Sequence, residues 1–222
     1  GAVPNAFDAH KISGGSSSGS AYVVATGQVD FALGTDTAGS GRVPAGLNNL
    51  VGLKPTRGRF STRGVVPACR TLDVVSIFSL TVADASAVMA VMEGAGDEPV
   101  FQHHAPRPAW FGDGRRPLRV AVPDSAECTR ALDGPLGYDR AFAEALERLR
   151  ALGAEVQPVD MQPFFDVARL LYEGPWVAER QVVVKPLLDE RPEVLDPTVR
   201  RVIEGGRSHD AAAAFRDRYA LE

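Results

Sequence analysis

Two loops rich in glycine and small polar residues constrain this chain more than any other feature of its sequence. The first is Gly14-Gly15-Ser16-Ser17-Ser18-Gly19, and the second is Gly34-Thr35-Asp36-Thr37-Ala38-Gly39-Ser40. Glycine lets the backbone approach a bound group closely, and successive backbone N–H groups in such loops converge on an anion or a developing oxyanion. Ordinary surface turns use the same residue types, so either loop taken alone leaves both interpretations open.

The spacing of apolar residues predicts an α/β protein with three parts. In the first part it indicates a helix that Ser18 or Ser20 caps and that ends at Thr26, a strand over 31–34, and a helix over 81–92 capped by Thr81. Further along it indicates a strand over 118–123, a helix over 137–152, a strand over 154–159, and a helix over 164–188 interrupted near Gly174. The strand–helix–strand succession predicts parallel pairing. Residues 98–117 are rich in proline, glycine and charge, which predicts an exposed connection between a core over 1–97 and a second α/β part, 118–222, of the same domain.

Composition and charge exclude several classes of partner. The net charge of −4 gives no basic surface for nucleic acid or for an anionic membrane. The longest apolar runs are far shorter than the ~20 residues of a membrane helix, and residues 1–11 lack the apolar core of a signal peptide. Cys69 and Cys128 make no disulfide framework, so we expect a cytoplasmic protein. The adjacent His103 and His104 suit metal ligation poorly without further ligands, and we expect no metal.

Taken as one pattern, the two loops resemble the signature of the amidase signature family. The resemblance rests on the spacing of Gly14, Gly15, Ser16, Ser17, Ser18, Gly19, Gly34, Asp36, Gly39, Ser40, Arg42 and Pro44. One position departs, because Gly41 stands where the broad family usually has an aliphatic residue. The variant over 37–45, TAGSGRVPA, and the continuations over 53–58 and 61–70 are similar to the allophanate hydrolase branch. The resemblance is dense to about Met92 and implies a mixed β-sheet core surrounded by helices.

The family resemblance implies a Ser-Ser-Lys triad. Ser40 is then the nucleophile that becomes acylated, and Ser16 is the bridging serine, held with a cis peptide bond, that relays the proton of Ser40 to a neutral lysine. The oxyanion hole is implied to consist of the backbone N–H groups of Thr37, Ala38, Gly39 and Ser40. Asp36 and Arg42 are interpreted as scaffolding of the loop, with an ordinary surface ion pair as the alternative.

The lysine of this triad has no match in the sequence. The three lysines are Lys11, Lys54 and Lys185, and none stands at the position that the family uses. We therefore expect a fragment whose catalytic lysine lies upstream of residue 1, which is truncated again at its C-terminus, and which is inactive as residues 1–222 alone.

Two other nucleophiles fit parts of the sequence. Residues 15–19 match G-x-S-x-G, the nucleophile elbow of α/β-hydrolases, with Ser17 as the nucleophile. That elbow requires a buried strand just before it, and residues 3–13 are too polar and irregular to form one. Cys69 is the weaker candidate, because most lone cysteines are small apolar packing residues.

A tyrosine and an arginine point to the substrate. Tyr172 and Arg180 resemble the pair that allophanate hydrolases use for substrate binding. Allophanate is a small carboxylate that carries a ureido group, and an arginine can hold a carboxylate through two parallel hydrogen bonds. The alternative is an exposed helix surface that carries an interfacial tyrosine and a solvated arginine.

The resulting hypothesis is an amidase of urea or ureido nitrogen catabolism that acts on allophanate and releases ammonia through an acyl-enzyme on Ser40. The resemblance implies no metal or organic cofactor, and it allows a homodimer and a urea carboxylase as pathway partner. Another amidase-signature amidase, including the glutaminase-type component of an amidotransferase, is an alternative against which Gly41, Tyr172 and Arg180 speak. A non-catalytic chain that uses the glycine loops for binding or assembly is the second alternative.

Overall fold

The computed structural model describes residues 2–93, 117–124 and 137–222. In these ranges the helices are α1 (Ser18–Ala25), α2 (Val43–Leu47), α3 (Val82–Met92), α4 (Tyr138–Ala151), α5 (Gln162–Glu173), α6 (Trp176–Glu190), α7 (Pro197–Gly205) and α8 (Ala211–Leu221). The strands are β1 (Phe31–Asp36), β2 (Val51–Leu53), β3 (Val74–Ser79), β4 (Arg119–Pro123) and β5 (Glu155–Val159). The predicted connection, apart from residue 117, lies outside the described residues, as do His103, His104 and Cys128.

An antiparallel sheet in the order β1-β3-β2 forms the centre of the N-terminal part. All six residues of β3 are buried, as expected for a central strand covered by helices on both faces. On one face Phe78 packs with Ala21, Val24 and Ala45 of α1 and α2. On the other face Val75 and Ile77 pack with Phe60 and with half-buried side chains of α3. Because successive side chains of β3 point to opposite faces of the sheet, this one strand packs against both helical layers.

The second α/β part follows the predicted strand–helix–strand order. Strands β4 and β5 pair in parallel, with Val120 opposite Val156, and α4 connects them. The predicted interruption of the long helix is also confirmed, because α5 ends at Glu173 and α6 begins at Trp176. Pro175 occupies the N-cap of α6, where its missing N–H costs no helical hydrogen bond. No helix in the described part of the chain is long and apolar enough to cross a membrane.

The predicted helix cap is confirmed at α3 and wrong at α1. Thr81 caps α3, since its hydroxyl accepts a hydrogen bond from the Asp84 N–H. The N-cap of α1 is Ser17, and its side chain makes no capping hydrogen bond. The hydroxyls of Ser17 and Ser20 are used instead to attach α1 to β1, where Ser20 donates to the Leu33 carbonyl at 2.8 Å. Not every apolar residue of α3 faces the core, since Val91 is 86% exposed.

Candidate active site

The fold places the two glycine loops side by side. The N–H of Ser17 donates to the carbonyl oxygen of Ser40 at 3.4 Å. The first loop leads into α1, and the second connects β1 to α2. The Gly15–Ser16 peptide bond is cis, as the resemblance implied. Ser16 is exposed and Ser40 is half-buried, so a small molecule in solution can reach both serines.

Ser17 attaches the first loop to β1. Its hydroxyl accepts a hydrogen bond from the Thr35 N–H and donates to the Thr35 carbonyl, both at 3.2 Å. The segment before the loop contains only an isolated bridge between Pro4 and Ile12 within residues 2–13, and no strand. The elbow interpretation with Ser17 as nucleophile therefore lacks the strand that it requires, and the Ser17 hydroxyl supports the backbone instead.

Asp36 is the buried anchor of the second loop. Its side chain is 1% exposed and accepts four hydrogen bonds. Two come from the N–H groups of Gly39 at 2.8 Å and Gly41 at 3.1 Å, and two come from Arg42, from Nε at 2.8 Å and from Nη2 at 3.0 Å. Burial alone raises the pKa of Asp36, but the bonds from Arg42, Gly39 and Gly41 outweigh burial and hold the pKa below its ordinary value. The Asp36 carboxylate thus joins the backbone on both sides of Ser40, and residues 36–41 form a closed ring.

Several backbone N–H groups of this ring are available to bind an oxyanion. The N–H of Gly39 is turned to Asp36, and its φ of +127° is one that side chains rarely adopt. Within the described residues, the N–H groups of Thr37, Ala38 and Ser40 donate to no protein acceptor. An oxyanion at Ser40 would therefore find three of the four predicted donors free and the fourth shared with Asp36.

Replacing Asp36 by alanine is expected to destabilise the native full-length protein by about 2–4 kcal/mol, because two buried N–H groups lose their acceptor. Arg42 adds little to this cost, since its side chain is 55% exposed and can be hydrated. A urea titration at pH 7 measures the loss. Asp30→Ala, at an exposed position just before β1, is the control.

The difference between wild type and Asp36→Asn should also depend on pH. A carboxyl whose folded-state pKa is lowered stabilises the protein above its unfolded pKa of about 3.9, and this contribution is lost as the pH falls through the folded value. We expect the full difference at pH 7 and a smaller one near pH 3. A difference that stays constant over this range would contradict the role of the charge.

Gly41 is explained by the side chain beneath it. A Cβ atom on Gly41 would lie 2.5 Å from Ser76 Oγ and 2.6 Å from Ser76 Cβ, on the central strand β3. Ser76 is fully buried, and its hydroxyl has no hydrogen-bond partner among the described residues. The aliphatic side chain usual at this position in the broad family thus has no room here, and the residue after Ser40 must be glycine unless Ser76 changes.

The predicted substrate pair lies at the junction of two helices. Tyr172 is near the end of α5, Arg180 is in the second turn of α6, and the guanidinium carbon lies 5.4 Å from the centroid of the tyrosine ring. Arg180 Nε is buried and has no hydrogen-bond partner in the described ranges. An apolar cavity of about 210 Å³ extends from Thr37 to Leu171 and Trp176, so α5 and α6 face the second loop.

The remaining nucleophile and base candidates are engaged elsewhere. Burial and a hydrogen bond to Glu179 raise the pKa of the Cys69 thiol to about 12, which favours the packing interpretation. Lys11 pairs with Asp8, Lys54 donates to the Pro55 carbonyl, and Lys185 pairs with Asp189. Among the described residues, no three His, Cys, Asp or Glu side chains are grouped closely enough to hold a metal ion.

Comparison with known proteins adds to this geometry. A family model described as Amidase matches residues 1–219. The chain belongs to the amidase family. This amidase chain is 45% identical to urea amidolyase of Saccharomyces cerevisiae over 224 residues, which cover 99% of the chain and 12% of that protein. It is 39% identical to a glutamyl-tRNA(Gln) amidotransferase component from Prosthecochloris aestuarii over 178 residues, which cover 78% of the chain and 36% of that protein.

Solved structures agree with the sequence comparison. A serine-to-alanine variant of Kluyveromyces lactis allophanate hydrolase superposes on this amidase chain with a TM-score of 0.89 and 42% identity. The match covers 99% of the chain and 35% of that protein. The predicted α/β fold of the amidase signature is therefore confirmed. The chain spans only a part of each of these relatives.

Sequence analysis missed several residues that surround the candidate site. Ser76, Asp73 and Glu179 were not singled out, because each lies in a segment without glycine-rich pattern and acts only through contacts distant in sequence. The one available signal was Asp73, a charged residue immediately before the apolar run of β3. A carboxylate at such a position is usually held by backbone donors, and Asp73 is held by the N–H groups of Ala68 and Cys69.

Proposed function

We propose that this amidase chain belongs to an enzyme that hydrolyses the terminal C–N bond of allophanate and releases ammonia. The observation that carries the proposal is the contact between the two loops, which brings the Ser16 segment against the backbone of Ser40. Similarity to urea amidolyase and to allophanate hydrolase supports the choice of substrate. A hydrolase acting on one small acid needs a nucleophile, an oxyanion site and a carboxylate-binding group.

The proposed reaction has two halves. The Ser40 oxygen attacks the terminal carbonyl carbon of allophanate while its proton passes to Ser16, and the carbonyl oxygen becomes an oxyanion. The free N–H groups of Thr37, Ala38 and Ser40 stabilise this charge, whereas the N–H of Gly39 is shared with Asp36. The C–N bond then breaks, the leaving nitrogen takes a proton and departs as ammonia, and an ester on Ser40 remains. A water molecule attacks the ester, which frees Ser40 and yields a dicarboxylate of the remaining nitrogen.

The proton acceptor behind Ser16 is proposed to be a neutral lysine. It is not assigned to Lys11, Lys54 or Lys185, because each has another partner and, among the described residues, none forms a hydrogen bond with Ser16 or Ser40. A serine hydroxyl is a poor nucleophile until a base takes its proton, so the proposal requires this group. A cytoplasmic location, a homodimer and a urea carboxylase as pathway partner remain parts of the proposal.

Arg180 is proposed to bind the carboxylate of allophanate. Its guanidinium lies over the ring of Tyr172, and its Nε lacks a protein partner among the described residues, so this donor is available to a planar anion. This contact favours allophanate over biuret, which has the same skeleton but ends in a neutral amide. A site that lacked a cation here would bind both compounds equally well.

Arg180→Lys in the native full-length protein is expected to lower kcat/KM for allophanate about ten- to a hundred-fold and to change that for biuret little. Lysine keeps the charge but loses the two parallel hydrogen bonds. Ammonia release measures both reactions, and Arg169→Lys, on the exposed surface of α5, is the matched control. If Arg180→Lys slows both substrates equally, or neither, Arg180 belongs to the helix surface and the choice of allophanate loses its support.

A further inference from the structure

Glu179 attaches the first turn of α6 to the segment over 69–71. Its Oε1 accepts a hydrogen bond from the Thr71 N–H at 2.8 Å. Its Oε2 accepts from the Thr71 hydroxyl at 2.6 Å and from the Cys69 thiol at 2.9 Å. A half-buried carboxylate with three donors from one short segment is held in a single position. The start of α6 is thereby fixed to this segment.

Asp73 attaches the same segment to the second glycine loop. Its side chain is 5% exposed and accepts hydrogen bonds from the Thr37 hydroxyl, from the Ala68 N–H at 2.9 Å and from the Cys69 N–H at 3.1 Å. Cys69 therefore donates to both carboxylates, through its N–H to Asp73 and through its thiol to Glu179. The contacts run without a break from Thr37, three residues before Ser40, to the residue next to Arg180.

Arg180 has no such attachment of its own. Its Nε is buried without a hydrogen-bond partner in the described part of the chain, and its guanidinium lies over Tyr172, which is itself 58% exposed. The position of Arg180 relative to Ser40 must then come from the backbone of α6. Glu179 holds that backbone one residue away, on a path that leads directly to the second loop.

We propose that Glu179 is a positioning residue that fixes Arg180 at a set distance from the Ser40 loop, so that a substrate with a carboxylate is aligned for attack. The inference rests on the proposed function of Arg180 and extends it to a second residue. Glu179 touches neither the substrate nor the reacting atoms in this proposal. Its loss would let the start of α6 move, and a displacement of about 1 Å at a positioning group can cost on the order of a hundred-fold in rate.

Glu179→Gln in the native full-length protein tests the proposal, with allophanate and biuret as substrates. Glutamine keeps the size and one acceptor oxygen, but it places an N–H group where Oε2 now accepts from the Thr71 hydroxyl and the Cys69 thiol. We expect kcat/KM for allophanate to fall about ten-fold or more, while kcat/KM for biuret changes less than about three-fold. Glu190→Gln, at the exposed end of the same helix, is the matched control and should change neither substrate.

Thr71→Val provides a second, independent variant. It removes the hydroxyl donor of Thr71 and keeps the N–H, so it should lower the ratio of kcat/KM for allophanate to that for biuret by a smaller factor than Glu179→Gln does. It replaces Glu179→Gln in the test if that variant does not fold. An unchanged ratio in these variants, while Arg180→Lys still lowers it, overturns the role of Glu179 and leaves the proposed function intact. If Arg180→Lys also leaves the ratio unchanged, the proposed role of Arg180 fails, and the inference about Glu179 fails with it.

Discussion

Ser40→Ala in the native full-length protein is expected to reduce kcat for ammonia release from allophanate by at least about a thousand-fold. The acyl-enzyme cannot form without the hydroxyl, whereas the backbone donors of the loop and the binding groups remain and leave only a small residual rate. Ser40 is half-buried in a loop that hydrogen bonds to the Asp36 carboxylate stabilise, so the alanine variant should fold normally. Steady-state ammonia release and a thermal unfolding curve measure the two properties separately.

Ser16→Ala should cause a loss of similar size, and the double variant should be little worse than either single one. Residues that act as one proton-transfer unit are strongly non-additive, because removing one member already disables the others. Ser17→Ala is the control within the same loop. Its hydroxyl bonds the backbone of Thr35, so its loss should lower stability by about 1 kcal/mol and activity far less. A Ser40→Ala protein that is folded and nearly as active as wild type would refute the proposed mechanism.

Gly41→Ala is expected to lower kcat for allophanate by about a hundred-fold or more. The new methyl group would lie 2.5 Å from Ser76 Oγ and 2.6 Å from Ser76 Cβ, and β3 is too well buried to move. The loop must shift instead, and Ser40 shifts with it because it directly precedes Gly41. The shift also disturbs the hydrogen bond from the Gly41 N–H to Asp36. A displacement of about 1 Å is enough to produce such a loss. Gly46→Ala in α2 is the matched control, because a Cβ atom there meets nothing within 4 Å.

The double variant Gly41→Ala/Ser76→Gly should regain much of the lost activity. Ser76→Gly removes both atoms that the new methyl group meets, and the nearest remaining contact is Asp36 Cβ at 3.2 Å. Ser76→Ala should not rescue, because its Cβ stays in place. This difference separates steric fit from any role of the Ser76 hydroxyl. Gly41→Ala with unchanged kcat, or equal rescue by glycine and alanine at position 76, would contradict the packing argument.

The two glycine loops show how much the sequence determined by itself. The residue types in these loops predict their backbone conformation, since glycine and small polar residues are favoured where a chain turns tightly or approaches a ligand. The sequence thus singled out both candidate serines, the Asp36–Arg42 pair and the departure at Gly41 from one continuous stretch. Periodicity likewise predicted the parallel β4–β5 pair and the break between α5 and α6. Each of these features depends on neighbours in sequence.

Only the tertiary structure decided which side chains surround those loops. Ser76 lies 35 residues after Gly41 and determines that position 41 must be glycine, and Glu179 reaches Thr71 across 108 residues. Hydrogen bonding also shows that Ser17, the nucleophile of the alternative elbow interpretation, supports the backbone of β1. Contacts of this kind arise when sheet and helices pack, because close packing brings together residues whose spacing in sequence carries no periodic signal. Residue type and spacing along one stretch therefore predict the glycine loops of the candidate site, whereas packing of the core fixes their placement.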